Sequence, residues 1–371
     1  MKKSFADILQ HMEKSRTQKI RKKLSAWAEH EDIEYISELS LEQCSSSECA
    51  RHKLEVLKRH IVPGASRIVD LTCGLGVDSW AFSRAAGSVT AYERNPELAA
   101  ATARNMARLG AVNIEIRNEE VTALTDLPEC DIIYADPARR DGSGRKVFLL
   151  EDCSPDIKQL LPYLKEKAGV ILLKLSPMAD IELLAQQLGE GLREIRVVSL
   201  KGEVKELLCL LERGFSGEYS IVAEEISGED KLEFLPSEEK QCTAHVARSV
   251  EAGDYLLEPG PALLKSGAFK LIAQRFGIEK LDASTHLYKG STRSESALLK
   301  SFRILETAEF SSTTLKELKK RKLQAEVTAR NMPMSSDELR KRIAASSGGN
   351  LHIFACQVNG RKLIMICERE A

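Results

Sequence analysis

Two glycines and a few carboxylates carry the chemistry that can be read from this chain. In Ile68-Val69-Asp70-Leu71-Thr72-Cys73-Gly74-Leu75-Gly76-Val77-Asp78 a short apolar run ends on an acid and then on two spaced glycines. The run reads as a buried parallel strand, followed by a glycine turn and a helix from Ser79. Gly74 and Gly76 lack the Cβ that would keep backbone amides away from a ligand, and the helix would aim its N-terminus at the same place. Asp70 narrows what that ligand can be. A carboxylate just before the turn repels a pyrophosphate but accepts from an ammonium or a hydroxyl, and Ser79 stands where a dinucleotide turn has its third glycine. A cationic, phosphate-free ligand such as S-adenosylmethionine suits that charge; without a ligand the stretch is simply a tight strand-to-helix turn.

Other candidate residues lie at the ends of later strands. Glu93, twenty-three residues after Asp70, ends a predicted strand over 89–92, where an acid can take both ribose hydroxyls of a nucleoside. Asn118 or Glu119, at the tip of a third strand over 114–117, sits where an adenine amino group could be read. A fourth strand, 131–135, runs into Asp136-Pro137-Ala138-Arg139-Arg140-Asp141-Gly142-Ser143-Gly144-Arg145-Lys146. Ligands of open α/β sheets lie outside the carboxyl ends of the strands, so this loop faces whatever the glycine turn holds. A Gly-Ser-Gly segment bracketed by basic residues suits a phosphate-bearing substrate.

These positions require a particular frame. From Arg67 strands and helices alternate as a parallel sheet with right-handed crossovers demands. A helix over 96–109 opens on Pro96 and stops before Gly110, a further helix includes 160–164, and a fifth strand covers 170–175. Residues 195–200 and 207–212 read as a last pair of strands, with an antiparallel strand at the sheet edge. This gives an α/β domain over 63–215. Before it, 1–62 reads as helical: Phe5, Ile8, Leu9 and Met12 recur at helical spacing, and Ser45 with Glu48 offers a capping box. After it, eleven acids against three bases between Glu218 and Glu258 read as an exposed acidic connecting segment, 216–254. A small unit follows over 255–298, with a helical stretch at 262–276. Residues 299–371 follow the order βαβαββ, with strands at 302–306, 326–328, 351–358 and 362–367 and helices at 313–323 and 336–345. That order predicts a small α+β domain with helices on one face of a mixed sheet.

Composition excludes some classes and leaves others open. The 371 residues carry a net charge of −1, so nucleic-acid contact depends on how charge is distributed. The first 25 residues hold eight Lys/Arg against two acids, and 315–342 hold nine against four. Either run can contact RNA phosphates or form a solvated face. No apolar run approaches the length of a membrane span and the N-terminus lacks a signal-peptide core, so a cytoplasmic location is expected. Nine cysteines without a C-x-x-C pair, and seven dispersed histidines, support neither a disulfide framework nor a metal site.

Together the motifs resemble class I S-adenosylmethionine-dependent methyltransferases that carry a small ferredoxin-like piece and a C-terminal THUMP-like domain. The residues that carry the resemblance are Asp70 to Asp78, Glu93 with Asn95-Pro96, Asp136 to Asp141, Lys146-Val147-Phe148-Leu149-Leu150-Glu151-Asp152 and Asn331-Met332-Pro333-Met334. It implies a Rossmann-like fold and S-adenosylmethionine as cofactor. The implied donor site is Asp70, Thr72, Cys73, Gly74, Gly76, Asp78, Glu93, Arg94, Asn118 and Glu119. Asp136, Pro137 and Arg139 would form the reacting centre, with Arg140, Arg145 and Lys146 on the substrate. THUMP domains are RNA-binding modules of RNA-modifying enzymes, so RNA is the implied partner, tRNA before rRNA.

Two departures bear on the reaction. Methyltransferases of exocyclic amines carry Asp or Asn, Pro, Pro and an aromatic residue, whereas here Ala138 and Arg139 replace the last two. A guanidinium plane can stack on a base or pair with phosphate. RNA 5-methyluridine methyltransferases share Asp-Pro-Ala-Arg but need a cysteine beyond the fifth strand, where this chain has Leu175-Ser176-Pro177. The expected reaction is methyl transfer to a ring or exocyclic nitrogen of an RNA base. The alternatives are a non-catalytic RNA-binding protein that keeps the donor site, and a methyltransferase of a protein or small molecule.

Overall fold

The computed structural model describes residues 17, 18, 20–30, 32–139, 150–228 and 230–370. The helical positions Phe5 to Met12, most of the basic N-terminal run, and Arg140, Arg145 and Lys146 lie outside the described residues. Two compact units make up the chain: Met1–Ile195 with Glu206–Gly217, and Arg196–Lys205 with Glu218–Ala371.

In the first unit short stretches rich in β-branched residues become β1 (Arg67–Asp70), β2 (Ser88–Tyr92), β3 (Ile114–Arg117) and β4 (Ile132–Ala135). Two short strands, β5 (Ala138–Arg139) and β6 (Cys153–Ser154), precede β7 (Val170–Leu175), β8 (Leu192–Leu200) and β9 (Glu203–Glu212), of which residues 196–205 belong to the second unit. The order is β8-β9-β7-β4-β1-β2-β3. The ladders joining β3, β2, β1, β4 and β7 are parallel, and β9 runs antiparallel to β7. All four residues of β4 are buried, as a strand covered on both faces should be. The reversed strand was expected at the sheet edge; it lies between β7 and β8 instead. A tight turn at Lys201-Gly202, with φ of 55° and 78°, returns the chain antiparallel and seats β9 inside the sheet.

Local signals set the helix starts. Asn95 accepts from the amides of Glu97 and Leu98 to open Pro96–Arg108, satisfying orphan donors of its first turn. The cap expected at Ser45 is one residue later: Ser46 accepts from the Cys49 amide and opens Ser47–Leu57. Ser45 is buried and its hydroxyl donates to Asp78, a tertiary demand that a local pattern does not reveal. Gly76 opens Val77–Ser83 with φ 79°, and a Cβ there would stand 2.8 Å from Thr102 Cγ2 and 2.9 Å from Met106 Cε. Gly76→Ala should therefore lower stability by about 1–3 kcal/mol through overpacking and a left-handed backbone, seen as a reduced urea midpoint at unchanged slope.

The second unit corrects the picture of an exposed acidic connector. Ser220–Glu225 forms the largely buried strand β10, paired antiparallel with β11 (Lys231–Phe234). Its acids have partners. Glu224 accepts from Arg196 at 3.0 and 3.2 Å, and Glu225 accepts from the Lys201 and Gly202 amides at 2.9 and 3.1 Å. A charge count treats carboxylates as unpaired and solvated, which these are not.

The strands β12 (Tyr255–Pro259), β13 (Glu279–Lys280), β14 (Tyr288–Gly290), β15 (Leu299–Glu309), β16 (Gln324–Arg330), β17 (Ser346–Val358) and β18 (Arg361–Arg369) form one sheet, in the order β13-β14-β12-β15-β18-β17-β16. The small unit beginning at Tyr255 and the C-terminal βαβαββ segment thus share a sheet through the β12–β15 ladder. The helical stretch read at 262–276 is two helices, Pro261–Ser266 and Phe269–Phe276, interrupted at Gly267 with φ 79°. Ser312–Arg321 and Ser336–Ile343 bury Leu315, Leu318, Leu339 and Ile343 in one core with β16 and β17. The fold is therefore α/β and Rossmann-like in its first part, with a mixed α+β domain at the C-terminus.

Candidate active site

A cavity of about 660 Å³ in the first unit opens where β1, β2 and β4 end and where β7 presents Lys174. Of the residues expected to hold a donor, Thr72, Cys73, Gly74, Asp78, Glu93, Arg94 and Glu119 line it, and so does Asp136. Among the described residues Asp70, Gly76, Asn118 and Pro137 are not part of its lining, and the Arg139 side chain lies outside the described residues. The wall also includes Leu39, Ser40, Gln43 and Cys44, from the helix Glu38–Gln43 and its end, an N-terminal contribution the sequence did not signal.

The glycine turn is fastened from several sides. Asp70, expected to face the ligand, is 1% exposed and lies beneath the turn. Its carboxylate accepts from the Thr72 amide at 2.9 Å and the Ser79 hydroxyl at 2.5 Å, so it shapes the backbone. Glu93, unlike Asp70, lines the cavity. It accepts from the Gly74 amide at 3.0 Å and the Asn95 amide at 2.8 Å, while Thr102 donates to the Gly74 carbonyl at 2.9 Å. Asn118 donates to the carbonyls of Glu93 and Arg94 and so supports this bend from outside, which leaves Glu119 as the strand-tip residue in the wall. The Asp136 amide donates to Thr72 Oγ1 at 2.6 Å, tying the loop after β4 to the glycine turn.

Burial pushes the Asp70 carboxyl up to about 7, despite the opposing hydrogen bonds from Ser79 and Thr72. Between its ordinary value and about 7 the folded chain keeps a proton that the unfolded chain has lost. Stability therefore falls as pH rises through that window and levels off above it. Asp70→Asn removes the term. Relative to the parent protein it should gain roughly 3 kcal/mol between pH 5 and pH 8, read from urea midpoints at the two values; a constant difference would contradict this account of Asp70.

Behind the turn lies a buried charge cluster. Lys53, fully buried on the helix Ser47–Leu57, pairs with Asp78 at 3.2 Å and Glu206 at 3.0 Å. Ser45 and Tyr134 each donate to Asp78 Oδ2 at 2.7 Å. Burial raises the Asp78 carboxyl, but the nearby Lys53 and Lys174 ammoniums and these hydrogen bonds outweigh it and hold the group below its ordinary range. Asp78, implied as a donor ligand, thus has both oxygens committed to protein partners. Burial pushes Glu206 up, and its buried Oε1 has no hydrogen-bond partner among the described residues.

Lys174 pairs with Asp136, their side chains 15% and 31% exposed, and both line the cavity. The sequence reading missed this lysine. Its signal was one cation inside the otherwise apolar Val170-Ile171-Leu172-Leu173-Lys174-Leu175. Among the described residues the wall holds the carboxylates of Asp78, Glu93, Glu119, Glu120 and Asp136 against the cations Arg94 and Lys174. That donor set suits a cation bearing hydroxyls and repels a diphosphate. It fits S-adenosylmethionine.

Residues 255–296 match a ferredoxin-like domain and residues 299–369 a THUMP domain-like module. Among solved structures, the chain is similar to a protein from Porphyromonas gingivalis W83 described as a candidate methyltransferase, with 32% identity over 96% of this chain and 89% of that one and a TM-score of 0.85. The precorrin-6y C5,15-methyltransferase of Geobacter metallireducens GS-15 is 17% identical over 50% of this chain and 96% of its own, with a TM-score of 0.35. The 16S rRNA N2 G1207 methyltransferase of T. thermophilus is 15% identical over 49% and 45%, with a TM-score of 0.32. The last two likenesses are too slight to bear on substrate. None of the curated proteins matches the chain.

Proposed function

Because the chain belongs to the class I methyltransferase family that carries ferredoxin-like and THUMP-like modules, we propose that it methylates a base nitrogen of RNA, tRNA before rRNA, using S-adenosylmethionine. The observation that carries this reading is the attachment of Glu93 and Asp136, through Gly74 and Thr72, to one glycine turn on one cavity. When bound, the donor supplies a methyl carbon already activated by a sulfonium, so the protein's task is chiefly alignment. Glu93 would take the ribose hydroxyls, Glu119 the adenine amino group, and the Cys73-Gly74 backbone would border the amino-acid portion. Asp136 would accept a hydrogen bond from the attacking nitrogen and receive its proton.

Charge on the C-terminal domain supports an RNA partner. Arg321 and Arg340 are held by Glu306 and Glu326, whereas Lys316, Lys319, Lys320, Lys322 and Arg342 are exposed and make no ion pair among the described residues. Such cations are available to phosphates. The nine cysteines are free thiols, which fits a reducing, cytoplasmic setting.

Incubation with tritiated donor and RNA from a strain lacking the gene tests the proposal. Nuclease-sensitive label in a base-methylated nucleoside is the expected result. RNA retention without label would mark a binding protein, and label that survives nuclease would mark another acceptor; either outcome overturns the reading.

A further inference from the structure

The cavity presents a hydrogen-bond acceptor paired with an obligate donor. In the parallel β4–β7 ladder Tyr134 pairs with Leu172 and Ala135 with Leu173, so Asp136, one residue on, comes level with Lys174. Asp136 is held by its amide to Thr72, and its carboxylate pairs with the Lys174 ammonium. A lysine ammonium can only donate and a carboxylate can only accept. The pair therefore complements a substrate edge that sets an N–H beside a C=O.

Base nitrogens respond to this pair in opposite ways. A lactam nitrogen, N1 of guanine or N3 of uracil, must lose its proton as it takes the methyl group, and negative charge runs into the adjoining carbonyl oxygen. A fixed ammonium at that oxygen stabilises the change. An imine-type ring nitrogen of adenine or cytosine attacks with its lone pair and leaves positive charge on the ring. The same ammonium opposes that, and no proton needs removing. An exocyclic amine also develops positive charge on attack, with no adjoining oxyanion for the ammonium to hold.

Resting on the functional reading above, we propose that the acceptor is the lactam N–H of an oxo base, guanine N1 or uracil N3, with Lys174 donating to the adjoining carbonyl oxygen. The N–H bond breaks and its proton passes to Asp136. The freed electron pair forms the N–CH3 bond, and the methyl–sulfur bond breaks with its pair left on sulfur. A sulfonium and a carboxylate become a neutral thioether and a carboxylic acid, so atoms and charge balance.

The labelled nucleoside decides the matter, identified by mass spectrometry after the full-length protein has acted on RNA from the strain lacking the gene. 1-Methylguanosine or 3-methyluridine is the expected product. Label in methylated adenosine or cytidine, or on guanine N2, overturns the lactam assignment while the broader RNA reading stands; no label in RNA overturns that reading itself. Lys174→Met should lower the single-turnover rate about a hundredfold, with Lys174→Arg restoring much of it; parental turnover in Lys174→Met would remove Lys174 from the chemistry. A readout independent of turnover is the binding of guanosine and uridine 5′-monophosphates against the adenosine and cytidine forms, with S-adenosylhomocysteine present. The expected preference for an oxo base should persist in Lys174→Arg, and a preference for adenosine or cytidine would overturn the assignment. Should Lys174→Met fail to fold, the product's identity and the arginine variant still decide.

Discussion

Replacing Asp136 with alanine is expected to abolish methyl transfer while leaving donor binding close to that of the parent protein. The two effects separate because different groups serve them. The Asp136 amide, which donates to Thr72 Oγ1, survives the substitution, and Glu93 is held by the Gly74 and Asn95 amides without help from Asp136. What disappears is the carboxylate that would align the acceptor nitrogen and take its proton. A positioned proton acceptor contributes about 10²–10⁴-fold, so loss of turnover by about 10³-fold or more is expected. Alanine also leaves the mostly buried Lys174 without its partner, which by itself destabilises the site. Asp136→Asn provides the control, since the amide oxygen can still accept from Lys174 but cannot serve as base. Single-turnover incorporation and calorimetric titration with S-adenosylhomocysteine measure the two properties. Ordinary turnover in either variant would remove Asp136 from the mechanism.

Lys53→Met should be the most destabilising single change in the first unit outside its apolar core. Methionine can follow much of the lysine stem but leaves buried Asp78 and Glu206 without the cation they pair with, and Glu206 already has one oxygen with no hydrogen-bond partner among the described residues. Removing one partner from a buried ionic cluster costs about 3–5 kcal/mol. For a unit of this size that corresponds to a fall of roughly 10 °C in the unfolding midpoint. Adding Glu206→Gln to Lys53→Met should return part of the loss, because the second carboxylate then no longer needs a counter-charge, and the pair should be non-additive by about 1 kcal/mol or more. A change of less than about 1 kcal/mol in Lys53→Met would show that the cluster is solvated and that its burial does not govern stability.

Features encoded locally were legible without coordinates. The strands expected at 114–117 and 170–175, the Pro96 start of the helix before Gly110, and the order of the C-terminal βαβαββ domain all follow from periodicity and helix-end signals within a few residues. Placing Glu93 and Asp136 on one cavity needed only the rule that ligands sit at strand ends. The fold class and the strand-end positions of Glu93 and Asp136 were therefore legible in the sequence alone, whereas the burial of Asp70 and the place of Glu120 were not.

Tertiary structure decided where charge points. Asp70 carries the same letter whether it faces a ligand or lies beneath a turn, and only the approach of Ser79 and the Thr72 amide buries it. Lys53, Asp78 and Glu206 come together from two helices and the reversed strand β9, far apart in the chain, and Lys174 meets Asp136 through the register of two strands. Glu224 and Glu225 looked exposed because a count of acids does not include Arg196 or the amides of a distant turn. Hydrophobic period and capping are short-range properties of the chain, whereas ion pairing and desolvation depend on which distant segments close over a group.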